Sequence, residues 1–208
     1  MSLVVLAVVG ASVGASAVVA RLWYGLRRRQ HTAERAPSPE RDPGVDGDLD
    51  PRLFATLPLR TGDVIDVDGE SRWLGAAVLL VDTTGVRSAL CMAPEEGPGT
   101  LVAAFPPPSH HIYWLEAADL ELPPGTPTTL DAGGALLELR ASYPVELASS
   151  AKAPALGARG KVALYEGPGA RAALLLRTEK GTHLWCGRRV AAGDYEKVGH
   201  VARQPDDA

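Results

Sequence analysis

The sequence predicts a mainly β protein: one β-sandwich or open-barrel-like domain of short antiparallel strands, preceded by a single transmembrane helix. Three observations predict it. Residues 3–20 carry no charged side chain. Residues 30–51 alternate prolines with charged groups and hold almost no large apolar side chains. From Leu57 onward, short apolar segments are cut by Gly, Pro and Asp, the pattern of strands and tight turns and not of amphipathic helices. A chain of 208 residues has room for one ordinary domain plus an appendage.

Residues 1–29 form the expected anchor and its basic flank. Eighteen helical residues at about 1.5 Å each span roughly 27 Å, close to the hydrocarbon thickness of a bilayer. Only a helix satisfies its own backbone there, because unpaired amides in lipid cost several kcal/mol each. Leu3, Val4, Val5, Leu6, Val8, Val9, Val13, Val18 and Val19 favour insertion. Trp23 and Tyr24 have the amphipathic rings of the lipid–water boundary, Arg21 can turn its head group outward, and Arg27, Arg28 and Arg29 close the segment. Positive charge after the helix places the following domain on the cytoplasmic side of the cell membrane, in a single-pass arrangement with membrane lipid as a partner. The competing reading is a secretory signal, cut after the small-x-small run Ala15, Ser16 and Ala17, which would leave the domain periplasmic or secreted. Gly10 and Gly14 share a helical face with Leu3, Ala7 and Ala17, the close-approach geometry of a homodimer through the anchor.

Residues 30–56 read as a disordered linker, since Pro37, Pro39, Pro43 and Pro51 among acidic and basic residues leave too little apolar surface to offset ordering entropy. The domain occupies 57–201, and 202–208 is a disordered tail. Its strand candidates are 64–67, 73–81, 87–92, 101–105, 112–116, 135–140, 145–147, 161–165, 172–177 and 182–186. Leu137, Glu138, Leu139 and Arg140 alternate with period two, leucines to the core and charges to water. Residues 172–176 are apolar without interruption, as in a central strand covered on both faces. Asp68-Gly69 suits a tight hairpin turn, and Lys180-Gly181 serves a similar one within the last hairpin, 172–186.

Composition narrows the function. A formal net charge of −4 gives no basic field for nucleic acid. Cys91 and Cys186 are too few for a disulfide framework or a four-thiolate zinc site, and both read as small buried hydrophobes. Asp63, Asp66, Asp68 and Glu70 around Gly69 resemble a calcium loop in composition, but the first ligand position would be Val64 and the twelfth Gly75, so a solvated strand and turn is expected. Gly167, Gly169 and Ala172 have dinucleotide-fingerprint spacing, yet strands flank them and Pro168 sits inside, so a turn is expected. His110, His111, His183 and Cys186 would make a metal site only if the fold gathered them, and alternation puts His183 and Cys186 on opposite faces. Ser109 beside His110 lacks the strand-to-helix elbow of a nucleophile. No cofactor, metal or catalytic constellation is expected.

The order of these elements resembles the DUF4178 family, bacterial domains of uncharacterised biochemical role. The likeness runs over most of 57–198. It opens on Arg60, Thr61, Gly62, Asp63, Val64 and Ile65, continues through Arg72, Trp73 and Leu74, and takes in Leu130, Gly133 and Gly134 ahead of Leu137 and Glu138. It closes with Tyr165, then Leu174, Leu175 and Leu176, then a turn over 187–190 ahead of Tyr195. The acidic residue usual after the penultimate strand is offset here, as Arg177 and Glu179. The resemblance implies no catalytic residues. The function expected is a membrane-tethered, non-catalytic interaction or scaffold module whose partners are other membrane or membrane-associated proteins. The alternative is a small-molecule sensor with a barrel or sandwich mouth lined by Trp73, Tyr113, Trp114 and Trp185.

Overall fold

The structure is a computed structural model that describes residues 49–94 and 99–200. The expected anchor, with Gly10, Gly14, Arg21, Trp23, Tyr24, Arg27, Arg28 and Arg29, lies outside the described residues, as do most of the expected linker and the tail. Among the described residues, no helix is long and apolar enough to cross a membrane. The described chain is mainly β. It runs through β1 (Asp63–Val67), β2 (Glu70–Trp73), β3 (Ala76–Asp82), β4 (Gly85–Met92), β5 (Thr100–Ala104) and β6 (Ile112–Ala117). It continues with β7 (Thr129–Asp131), β8 (Leu136–Ser149), β9 (Arg159–Glu166), β10 (Arg171–Thr178), β11 (Gly181–Val190) and β12 (Glu196–His200). The 3-10 turns Pro51–Phe54 and Pro168–Ala170 punctuate the strands.

Eight strands close on themselves in the order β3-β4-β5-β6-β11-β10-β9-β8, and the ring is sealed where β3 pairs antiparallel with β8. The domain is therefore a closed antiparallel barrel, which removes the free edges that a sandwich or an open barrel would keep. The barrel interior is filled by side chains that alternate inward from every strand, among them Val78, Leu90, Leu101, Leu115, Val145, Val162, Leu174 and Trp185. At about 25 cal/mol per Å² of apolar surface removed from water, such a filled interior is the main source of stability.

Two further clusters pack against the outside of the barrel. The small sheet β12-β1-β2 covers one flank, with Ile65, Val67 and Leu74 against Ala77, Leu79, Ala89, Cys91, Val102 and Trp114. On the other flank, Leu122 and Leu130 pack with Leu137, Tyr165, Leu175 and Leu184. That covering segment is held by Tyr165 Oη, which donates to the Pro127 carbonyl at 2.9 Å, and by Arg177, which donates to the Pro123 carbonyl at 2.7 Å. This explains why 172–176 is apolar throughout: β10 faces the interior on one side and the covering segment on the other.

Several expectations were refined. The single strand expected over 73–81 is two, because the chain leaves β2 at Trp73 and turns at Leu74 and Gly75 into a different sheet. The ring of Trp73 covers the Gly75 Cα, where a Cβ would meet it. Conversely, the strands expected over 135–140 and 145–147 are one, β8, carried past Pro144 and irregular in register between Leu139 and Ala141. That bulge reverses the alternation: Leu137 packs outside the barrel, whereas Tyr143 and Val145 point inside. Glu138 and Arg140 are solvent-exposed, as the period predicts. The Asp68-Gly69 turn forms, both residues having positive φ, and the hairpin β10–β11 pairs without interruption from Arg171↔Arg188 to Thr178↔Gly181. Strands β7 and β12 were not anticipated.

Candidate functional site

Polar side chains collect at one end of the barrel, where β6 begins and β9 and β11 end. His111 and Tyr113, two apart, lie on one side of the chain, and the register Arg189↔Tyr113 brings the end of β11 beside them. Tyr113 Oη donates to Glu166 Oε1 at 2.8 Å, and His111 Nε2 lies 2.9 Å from the same phenol oxygen. Arg189 reaches Glu166 Oε1 at 3.4 Å, and Arg140, at the β8 bulge, reaches Glu166 Oε2 at 3.6 Å. Ser109 Oγ ends the chain, 3.4 Å from His111 Nε2.

Counting protons decides what this chain can do. A phenol has one proton, and that proton is committed to the Glu166 carboxylate, so the phenol oxygen must accept from His111 Nε2–H. The tautomer follows from this network. A nitrogen that carries its proton toward Tyr113 has no lone pair for Ser109, so the pair does not form the base–nucleophile couple of a hydrolase. Burial, then the nearby Arg189, holds the His111 imidazole below its ordinary pKa, which favours this neutral donor. Burial and the bond to Glu166 push the Tyr113 phenol well above the phenol range. The Phe105 ring meets Tyr113 edge-on at 5.3 Å and backs the phenol with apolar surface.

Outside the barrel, next to this end, lies an open groove of about 570 Å³. Leu57 and Pro58 form one wall, Pro106, Pro107 and His110 another, and Ala192 with Tyr195 the third. Ser109 belongs to both the groove and the polar chain.

A second polar centre sits under β12. Asp63 is 0% exposed, yet its carboxylate gathers Lys197 Nζ at 2.8 Å, His200 Nδ1 at 3.0 Å and the Arg60 amide at 3.0 Å. Residues three apart on a strand ordinarily face opposite ways. Here Val64 pairs with Gly199 and Ile65 with Lys197, so Val198 is an extra residue, and the bulge turns Lys197 and His200 to the same carboxylate.

No family model, no curated protein and no solved structure matches this chain.

The four aromatic residues expected at one mouth are not brought together. Tyr113 and Trp185 face the interior and are core, whereas Trp114 faces outward under the Arg72 guanidinium, 3.8 Å from its ring, and Trp73 covers Gly75. Tyr113 and Trp114, adjacent on β6, point to opposite sides as period two requires. His183 stacks on Trp185 at 5.8 Å while Cys186 packs outside, so the two do not converge. Among the described residues, no three His, Cys, Asp or Glu side chains are placed to hold a metal ion. The acidic run is dispersed: Asp66 accepts from the Gly69 amide and from Ser71, and Asp68 pairs with Arg188. Gly167 and Gly169 lie in the β9–β10 connection with strands on both sides. Cys91 and Cys186 are free thiols, pushed up by burial to about 12 and about 11. Sequence reasoning weighed His111 but missed Glu166, Arg189 and Lys197, whose partners lie on strands distant in sequence.

Proposed function

We propose that the domain is a non-catalytic interaction or scaffold module, tethered to the cell membrane by the residue 3–20 helix and facing the cytoplasm. The observation that carries this reading is the proton count at the barrel end: His111, Tyr113 and Glu166 are committed to one another, which suits a structural brace better than bond-making chemistry. With the interior filled by side chains, the surfaces that remain for partners are on the outside. Membership of the DUF4178 family, which the sequence motifs suggest, would agree with this reading and add no reaction to it. Other membrane or membrane-associated proteins are the partners, and Gly10 and Gly14 are where two anchors would pair. Proximity labelling from the full chain in its native host should recover the same membrane partners repeatedly. An unchanged partner set after deletion of residues 53–208 would remove the module reading.

A second reading, a small-molecule sensor, is favoured by one observation. The groove at Pro58, Pro107 and Tyr195 has about 570 Å³, within the usual 300 to 1,000 Å³ of ligand sites. A thermal-shift screen of metabolites tests it, since a ligand at 100 times its dissociation constant adds about 2.7 kcal/mol.

A further inference from the structure

Strand β12 is attached by an unusual set of forces. It pairs with β1 and with no other described strand, and none of its side chains belongs to a hydrophobic cluster. Val198, its apolar side chain, is 52% exposed. What holds β12 is the β1 ladder, broken by the bulge, together with Lys197 and His200 on the buried Asp63 carboxylate. At the other end of the strand, Glu196 lies directly opposite Asp66. Like charges facing each other across a ladder repel. The resident strand is thus matched to β1 at one end and mismatched at the other.

We propose that β12 is a displaceable strand, and that the β1 edge beneath it accepts an extended basic segment of a partner protein, which adds as a strand and sets a cation on Asp63. This deepens the interaction-module reading, and rests on it only in taking the natural occupant to be another protein. The site is built for a cation: a carboxylate removed from solvent recognises a basic side chain more strongly than an exposed one does, and without Lys197 and His200 Asp63 keeps only the Arg60 amide at 3.0 Å and the Arg60 guanidinium at 3.7 Å. Backbone bonding along Asp63–Val67 supplies affinity without sequence demands, and Asp63 and Asp66 supply the preference for basic over acidic residues. A segment with a basic residue in place of Glu196 turns the one repulsive pair into an attractive one, so it competes with β12 on better terms than β12's own sequence.

Two measurements on the full chain test this. In hydrogen exchange of the unaltered protein, the amides of Glu196–His200 should exchange at least about tenfold faster than those of the β10–β11 hairpin, through local opening. Exchange of β12 only in step with β10 and β11 would overturn the proposal. The second uses a fluorescent peptide of residues 194–200 with lysine in place of the glutamate, read by anisotropy. It should bind the unaltered chain, bind the Lys197→Met, His200→Gln chain more than tenfold tighter, and lose binding with Asp63→Asn; a control peptide with glutamates in place of its lysines and histidine should not bind. Absence of binding to the double variant, or binding indifferent to Asp63→Asn, would overturn it. A native-host survey that finds no partner sinks the module reading and leaves the peptide result standing.

Discussion

Tyr113 and Glu166, fifty-three residues apart in sequence, meet at 2.8 Å across the end of the barrel, and the direction of that hydrogen bond fixes the protonation of His111. If the chain is a brace, Tyr113→Phe should leave the fold intact and destabilise it by about 1 kcal/mol, the net worth of a typical hydrogen bond. Urea unfolding of the Tyr113→Phe and Glu166→Gln variants and of the double variant should show non-additivity. Strict additivity would mean that the two groups do not act together.

Stability should fall with pH through the histidine range. His111 and His183 both have folded-state pKa values lowered, chiefly by burial, below the ordinary 6.5. The unfolded chain therefore takes up these protons first as pH falls, so the stability is fully present above about 6.5 and is lost progressively below it. Urea midpoints at pH 7.5 and 5.5 measure this. Combining His111→Gln with His183→Gln should flatten the difference, and an undiminished slope would assign it elsewhere.

The two thiols should be inert in the native protein. Cys91 lies fully buried between the barrel and the small sheet, and burial keeps it protonated up to about 12. Only the thiolate reacts. With a disulfide reagent at pH 8, both cysteines should react on unfolding and neither at an appreciable rate before it. Rapid native labelling of Cys91 would show that the covering sheet opens.

Close approach at Gly187 gives a packing test. A Cβ there would fall on the Trp114 carbonyl oxygen and against the Leu115 Cα, so β11 and β6 run together only with glycine at this point. Gly187→Ala should cost about 1 to 3 kcal/mol by overpacking. Leu174→Ala, in the middle of the barrel, should cost about 2 to 5 kcal/mol through the cavity it leaves. Chemical denaturation reads both, and a neutral Gly187→Ala would contradict the described register.

Much of the fold was legible because strands announce themselves locally. The Asp68-Gly69 turn and the β10–β11 hairpin are read from neighbours in sequence. Barrel closure was not legible: it rests on β3 meeting β8, a pairing such as Leu80↔Leu147 that no local pattern encodes. The merging of two expected strands into β8 depends on a bulge beside Arg140 and on a proline that β8 carries at position 144. Strand β12 was illegible for a different reason. Of Glu196, Lys197, Val198, Gly199 and His200 only Val198 carries an apolar side chain, and it is half exposed, so hydropathy is silent, and the carboxylate that holds the strand is more than a hundred residues away. At the barrel end, the pairing of His111 with Tyr113 could be read from period two, whereas Glu166 and Arg189 arrive from strands whose order the sequence does not state.

With the interior filled, partners of this module sit on the outside of the barrel, and the groove beside the braced end, whose Tyr195 directly precedes β12, is the part of that surface they cover. A photo-crosslinking amino acid at His110, in the groove, and another at Leu120, in the segment that covers the opposite flank, test it in the native host. A recurrent adduct from position 110 and none from position 120 is the predicted result. No adduct at 110, or the same products from both positions, would contradict it.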